Sequence, residues 1–413
     1  MKYGCIGKKL GHSFSREIHA ALGNDDYILR EVAPEALDAF LTERDFCAIN
    51  VTIPYKEAVL PHLSEIDEGA RRIGAVNTIV NRGGTLFGYN TDFYGMRALL
   101  SHAKIAVGGK KVVILGTGGT SKTAYAVAES LGAKEILRVG RSGRENSLTY
   151  EELYEGHTDA DILINTTPVG MYPNLSGMPV DLAKFQRLSG VIDAVYNPLC
   201  TSLILAAGAR GIPAEGGLFM LVAQGVRASE IFFDTHYPEG TTEKIFADMR
   251  RKKENIVLVG MPTSGKSTVG KLLAERLSRP FIDIDERIEA RGTKISEIFA
   301  AGGEPAFRKT EAEVIEDEVA SLTGTVIATG GGSVLSDENV KNLLHNGRIY
   351  FLNRSLSLLI PTDDRPLAKD KEAIEKRYRE RLPRYLAVAD AVIPADGTPE
   401  EVADLISEDF IAT

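Results

Sequence analysis

Ile256-Val257-Leu258-Val259-Gly260-Met261-Pro262-Thr263-Ser264-Gly265-Lys266-Ser267-Thr268 is the stretch from which the rest of this chain is read. Four consecutive apolar residues predict a buried strand, and Gly260–Ser267 then satisfies G-x-x-x-x-G-K-[ST] without a mismatch. The run from Thr268 to Leu273 continues as a helix. A strand, a glycine turn and a helix in that order bring backbone N–H groups and a helix N-terminus to one point, which is a cradle for phosphate. Lys266 is expected to reach the terminal phosphate oxygens of ATP and Ser267 to ligate Mg²⁺, with Gly260, Ser264, Gly265 and Thr268 completing the loop. Nucleotide binding alone does not say what receives the phosphoryl group.

Outward from this loop, short apolar runs alternate with helical patterns. Residues 112–115, 162–164, 191–192, 326–328 and 349–352 read as further buried strands, each followed by turn residues. That alternation predicts an α/β protein with parallel sheets, in two blocks of roughly 110–220 and 255–413. Between them, Met249-Arg250-Arg251-Lys252-Lys253-Glu254-Asn255 reads as a solvated linker or a helix end rather than a nucleic-acid patch, with the linker placed over 248–254. The 413 residues are 44% hydrophobic and 25% charged, enough for two or three cored domains. A net charge of −9 excludes broad affinity for nucleic acid or anionic membrane. No run of 18 apolar residues is present, and Met1–Lys8 lacks a secretory h-region. The three cysteines, Cys5, Cys47 and Cys200, are too few and too scattered for a disulfide framework, and the seven histidines form no H-E-x-x-H. A cytoplasmic protein acting on small molecules is the expectation.

The first block carries its own glycine turn. Gly116-Thr117-Gly118-Gly119-Thr120-Ser121 follows strand 112–115 and opens a helix, the context a dinucleotide pyrophosphate requires. The ribose-selecting position should lie at the tip of the next strand. It holds no acid but Arg141, with Ser142 and Arg144 nearby, which suits the 2′-phosphate of NADP(H).

Residues 1–100 hold polar clusters in excess of what a core needs: Gly11-His12-Ser13-Phe14-Ser15, Asn50-Val51-Thr52-Ile53-Pro54-Tyr55-Lys56, Gly74-Ala75-Val76-Asn77-Thr78 and Gly88-Tyr89-Asn90-Thr91-Asp92. Taken singly, each reads as a cap, a turn or surface charge. In order, and followed by the glycine turn, by residues 165–171 and by residues 217–224, they resemble shikimate dehydrogenase over about residues 1–247. The resemblance implies a substrate domain (1–100 with about 222–247) and a Rossmann-like NADP domain (101–221). It implies that Lys56 and Asp92 are the catalytic pair. Ser13 and Ser15 would take the substrate carboxylate, and Thr52, Asn77, Asp92 and Gln224 the ring hydroxyls, with Tyr196 close by. Thr166, Gly217 and Met220 join the cofactor side. Reduction of a ketone needs a proton donor where hydride arrives, and a Lys held by a carboxylate meets that need. Two departures from the family pattern are Arg16, where Pro is common, and Gly140, where Asn commonly precedes the cofactor Arg.

For the second block the acceptor site must come from the remaining residues. Phe281-Ile282-Asp283-Ile284-Asp285 reads as a strand whose two carboxylates share a face, one for the metal and one for the acceptor hydroxyl. Gly330, Gly331 and Gly332 allow close backbone approach to a small substrate. Arg308 has a carboxylate three positions on, and Arg365 and Arg381 supply further cations. This set resembles shikimate kinase over about residues 254–413, a P-loop domain at 255–413. The resemblance implies Asp283 toward Mg²⁺, Asp285 toward the acceptor hydroxyl, Arg308 and Arg381 on the shikimate carboxylate, and Arg365 on a lid. The stretch Ser355–Thr362 lacks the Arg that family members often place there against adenine. The expected function is NADPH-dependent reduction of 3-dehydroshikimate to shikimate, then its ATP-dependent phosphorylation to shikimate 3-phosphate. The alternatives are a quinate/shikimate dehydrogenase with an attached kinase, or a shikimate-sensing regulator without turnover.

Overall fold

Three β-sheets organise the chain. The structure, a computed structural model, describes residues 1–11, 14–143, 146–360 and 371–412. Ser13, Arg144 and Arg365 lie outside the described residues. The first sheet contains β1 (Tyr3–Gly7), β2 (Tyr27–Glu31), β3 (Ala48–Val51), β4 (Glu65–Ile66), β5 (Thr78–Arg82) and β6 (Thr85–Tyr89), in the order β2-β1-β3-β5-β6-β4. It is mixed: β1 runs parallel to β2 and β3, whereas β5 is antiparallel to both β3 and β6. Successive residues pack on opposite faces, as strand geometry requires. Ile6, Ile49 and Ile79 join one core layer, and Cys5, Ala48 and Val80 the other.

The second sheet contains β7 (Lys111–Leu115), β8 (Glu135–Val139), β9 (Ile162–Asn165), β10 (Gly190–Asp193) and β11 (Ala214–Glu215), in the order β11-β10-β9-β7-β8. The third contains β12 (Asn255–Val259), β13 (Phe281–Asp283), β14 (Val326–Ala328), β15 (Gly347–Asn353) and β16 (Ala391–Pro394), in the order β13-β14-β12-β15-β16. Both are parallel throughout. Continuous apolar runs are explained by burial on both faces. In β12, Val257 and Val259 face one core while Ile256 and Leu258 face the other. In each sheet the chain reverses its direction of travel at β7 or at β12. Each glycine turn therefore leaves the C-terminal end of a switch-point strand, where open α/β sheets bind ligands.

Two compact units result. One comprises Met1–Met171, Met178–Asn197 and Ala206–Met249; the other comprises Tyr172–Gly177, Pro198–Leu205 and Arg250–Thr413. Residues 248–253, expected as a solvated linker or a helix end, complete a helix, Thr241–Lys253. Ile245, Phe246 and Met249 give it a buried apolar stripe, and its basic run occupies the last turn, where cations suit the helix dipole. None of Cys5, Cys47 and Cys200 is in a disulfide. Among the described residues no helix is long and apolar enough to cross a membrane.

One buried titratable group gives the first unit a pH dependence. His19 is 1% exposed and stacks on Tyr27 at 3.9 Å, with Phe232 on the same cluster. Burial pushes its pKa down to about 4, against an opposing hydrogen-bond contribution from Asn50. The unfolded imidazole titrates near 6.5. The unfolded chain therefore binds the extra proton first, and this contribution to stability is present above pH 6.5 and lost as pH falls toward 4. His19→Phe is expected to flatten the decline of the first unit's melting temperature between pH 6.5 and 4; an unchanged slope in scanning calorimetry would contradict the assignment.

Candidate active sites

The first site forms around two helix starts. In the helix Thr91–His102, Asn90 is the N-cap and accepts from Phe93 N, which leaves Asp92 free to face inward from the first turn. Lys56 lies in the turn after β3 and meets it: Nζ lies 2.5 Å from Asp92 Oδ2, with the two side chains 16% and 9% exposed. The helix Gly119–Ser130 begins beside this pair, since a Cβ built on Gly119 would touch Lys56 Cδ at 3.9 Å. Asn77 Nδ2 donates to Thr91 Oγ1 at 3.0 Å and to Gln224 Oε1 at 3.5 Å, and Asn77 Oδ1 accepts from Thr91 N at 2.8 Å. Asn77, Asp92 and Gln224 are thus brought to one locality, along with Thr91 and Thr78, which were not predicted as site residues. Gln224 arrives on the helix Leu218–Phe233, which also carries Met220 in its first turn and has Gly217 as its N-cap. Thr52 follows β3, and its N–H donates to Ile6 O. Ser15 opens the helix Ser15–Ala21, and Tyr196 sits 5.4 Å from the neighbouring Phe14 ring.

On the cofactor side, the turn after β7 has Gly118 as the N-cap of its helix, and a Cβ there would meet nothing within 4 Å. Gly116 turns the chain against Thr166, whose Oγ1 donates to Leu115 O at 2.6 Å. Thr120 lies in the first turn of the helix. Arg141 and Ser142 follow β8 and are exposed. Open space above a helix N-terminus, with a guanidinium at the next strand tip, fits a phosphorylated dinucleotide. Gly140 has a steric origin: a Cβ there would come 2.8 Å from Thr117 Cγ2 and 3.2 Å from Ser147 Oγ.

The second site surrounds the loop after β12. Lys266 opens the helix Lys266–Arg276, and its Nζ donates to Gly260 O at 3.0 Å and Met261 O at 2.9 Å. The hydroxyls of Thr263 and Ser264 are buried with no hydrogen-bond partner among the described residues. A loop that leaves hydroxyls unsatisfied suits an anion that accepts from them. Ser267 Oγ lies 2.5 Å from Asp283 Oδ2. One hydroxyl and one carboxylate are a donor set for Mg²⁺, which keeps waters and phosphate oxygens for its other positions.

Asp283 and Asp285 do not share a strand. β13 stops at Asp283, whose side chain caps the helix Ile284–Ala290 by accepting from Asp285 N at 2.9 Å. This capping bond ends the extended run, so Asp285 projects from a first helical turn. It faces the triple glycine: a Cβ on Gly330 would lie 3.3 Å from Asp285 Oδ1 and 2.5 Å from Glu311 Oε1, and one on Gly332 would fall inside the Arg308 guanidinium. Only glycine permits this approach. Arg381 closes the group by donating to Gly331 O at 3.1 Å. Arg308 and Arg381 share Glu304, at 3.2 and 4.0 Å, and Arg308 also binds the fully buried Glu311 at 2.6 Å. Burial works against the Arg308 cation, but the Glu311 and Glu304 carboxylates outweigh it and raise its pKa. Glu304, Ser333 and Tyr385 were not predicted as site residues; Ser333 Oγ donates to Glu311 at 2.6 Å and Tyr385 donates to Gly331 O.

Comparison with known proteins gives both halves a counterpart. The family model for the shikimate dehydrogenase substrate binding domain matches residues 5–79, and that for shikimate kinase matches residues 262–410. A shikimate dehydrogenase (NADP(+)) of Clostridium perfringens is 37% identical over 271 residues, covering 60% of this chain and 98% of the relative. The crystal structure of shikimate dehydrogenase 1 from Peptoclostridium difficile aligns with a TM-score of 0.56 and 36% identity, over 60% of this chain and 98% of its own. A Thermus thermophilus shikimate 5-dehydrogenase, solved in complex with NADP(H) and shikimate, aligns with a TM-score of 0.54 and 29% identity, over 60% of this chain and 99% of its own.

Proposed function

This chain belongs to the shikimate dehydrogenase family, and from that premise, with the shikimate kinase match beyond it, we propose one bifunctional enzyme. It reduces 3-dehydroshikimate to shikimate with NADPH and then transfers phosphate from ATP to the product. The observation that carries this reading is the presence in one chain of both a Lys56–Asp92 pair beside a dinucleotide turn and a phosphate loop facing an Asp285–Arg308–Arg381 pocket. Functionally, we assign residues 1–100 with about 222–247 to substrate binding, 101–221 to NADP(H) and 255–413 to the kinase.

Bound NADPH supplies the hydride, and bound Mg²⁺ neutralises phosphate charge. The chain's own residues do the rest. Lys56 Nζ, oriented by Asp92, delivers a proton to the carbonyl oxygen as it becomes an alkoxide. Asn77, Thr52 and Gln224 offer groups that both donate and accept, which match ring hydroxyls. In the second site Asp285 orients the acceptor hydroxyl and holds its proton, while the planar forks of Arg308 and Arg381 pair with a carboxylate. Both sites take anions against a background charge of −9, so these local cations and loop N–H groups set affinity. Small-molecule substrates and a cytoplasmic location complete the reading.

A coupled assay tests it. With 3-dehydroshikimate, NADPH and MgATP, loss of NADPH should be followed by shikimate 3-phosphate; oxidation without phosphorylated product would reject the kinase half, and no oxidation would reject the first. Cofactor choice is tested separately. Arg141→Asp is expected to lower kcat/KM for NADPH roughly 10- to 100-fold, the size of one lost charge-assisted hydrogen bond, with little change for NADH. An unchanged NADPH/NADH ratio would show that Arg141 does not read the 2′-phosphate.

A further inference from the structure

We propose that Arg354 is a nucleotide-holding residue of the second site, gripping the phosphates from the side opposite the acceptor pocket. This rests on the kinase reading and extends it to a residue outside the expected motif set. The segment Ser355–Thr362 contains no Arg. Arg354 stands immediately before that segment, at the end of β15. Its guanidinium reaches the phosphate loop: Nη1 is 3.9 Å from where a Cβ of Gly265 would be. Its Nε is buried and has no hydrogen-bond partner among the described residues.

A buried guanidinium N–H without an acceptor is costly, and an anion arriving at the loop would supply one. The neighbouring acid does not fill that role. Asp396 lies close enough to feel the Arg354 charge, but its carboxylate is occupied by Ser355 N at 2.7 Å and by Ser355 Oγ. Those same bonds fix the turn that presents Arg354. The loop itself contributes two further buried hydroxyls, on Thr263 and Ser264, with no partner among the described residues.

Sheet order separates the two ligands. β12 stands at the centre, with β14 and β13 on one side and β15 and β16 on the other. Asp285 and Gly330–Gly332 follow β13 and β14, so the acceptor pocket occupies that flank. Arg354 follows β15 and faces the loop from the opposite flank, away from Asp285 and the triple glycine. A planar fork against the loop that cradles phosphates suits bidentate pairing with phosphate oxygens.

The test is calorimetric binding to the full chain. Arg354→Met is expected to raise the Kd of MgADP about 10- to 100-fold, the range for a lost hydrogen bond to a charged group, while adenosine and shikimate bind as in the wild type. Unchanged MgADP binding would overturn the proposal, and so would equal losses for MgADP and adenosine, which would place Arg354 on the base. If shikimate binding falls as well, Arg354→Lys decides: it keeps the stem and one charge, and a selective loss for MgADP supports the assignment where wild-type affinity refutes it. Wild-type chain that binds no MgADP, or Lys266→Ala that binds it normally, would instead count against the kinase reading.

Discussion

Lys56→Ala should reduce the rate of 3-dehydroshikimate reduction by about 10³-fold, within the 10²- to 10⁴-fold range of a positioned proton donor, and leave shikimate phosphorylation within about twofold of the wild type. The split follows from the geometry. Lys56 makes its ion pair with Asp92 and lies against Gly119, inside the first unit, whereas the phosphate loop and acceptor pocket are built from residues 260–384 of the second. Removing the amine also leaves the Asp92 carboxylate, 9% exposed, without its counter-charge. Breaking a buried pair in this way commonly costs about 3–5 kcal/mol, so NADPH binding must be measured beside the rate. Lys56→Gln keeps a donor for Asp92 but no titratable amine. It should restore folding without restoring turnover. Reduction that survives within tenfold in either variant would show that another group carries the proton.

The second large effect is expected at Asp285. Asp285→Asn should lower kcat for phosphorylation about 10²- to 10⁴-fold while MgATP affinity stays near that of the wild type, because the carboxylate faces Gly330 rather than the loop that holds the nucleotide. Asp283→Asn is the contrasting variant. Its carboxylate lies 2.5 Å from Ser267 Oγ, so its loss should raise the Mg²⁺ concentration needed for half-maximal rate. Equal phenotypes for the two variants, or an Asp285→Asn enzyme with normal kcat, would contradict the division of roles.

Features that a short stretch of backbone must satisfy by itself are legible in the sequence alone. Gly260–Ser267 and Gly116–Ser121 announce their turns because a phosphate cradle needs glycine at fixed spacing, and β12 announces its double burial because Ile256–Val259 are all apolar. Long-range partnerships are not. Asn77 and Gln224 are 147 residues apart in sequence, and nothing local to either predicts their contact. Glu304 carries no signal that it would join Arg308 to Arg381. Asp283 and Asp285 show the reverse failure. Their alternation fits a strand, but a carboxylate ahead of a helical pattern is also an N-cap, and the capping bond won. The charge of the basic run after Met249 leaves linker and helix end open, and the buried stripe of Ile245, Phe246 and Met249 makes it a helix end. Gly140 departs from the family pattern for a reason visible only when Thr117 and Ser147 are seen against it.

The second unit is not one continuous run of sequence: Tyr172–Gly177 and Pro198–Leu205 belong to it as well as Arg250–Thr413. Pro198–Leu205 is bonded into it, with Leu199 N donating to Asn346 Oδ1 at 2.9 Å and Cys200 N to His345 O at 2.8 Å. Gene fission at a single point near codon 250 would therefore not hand each descendant a whole unit. The downstream product would lose these two stretches and leave the ends of His345 and Asn346 without them. A fusion knit in this way is entrenched: once the chain has threaded both short stretches into the second unit, evolution cannot undo the join by one break without first rebuilding the surface they cover.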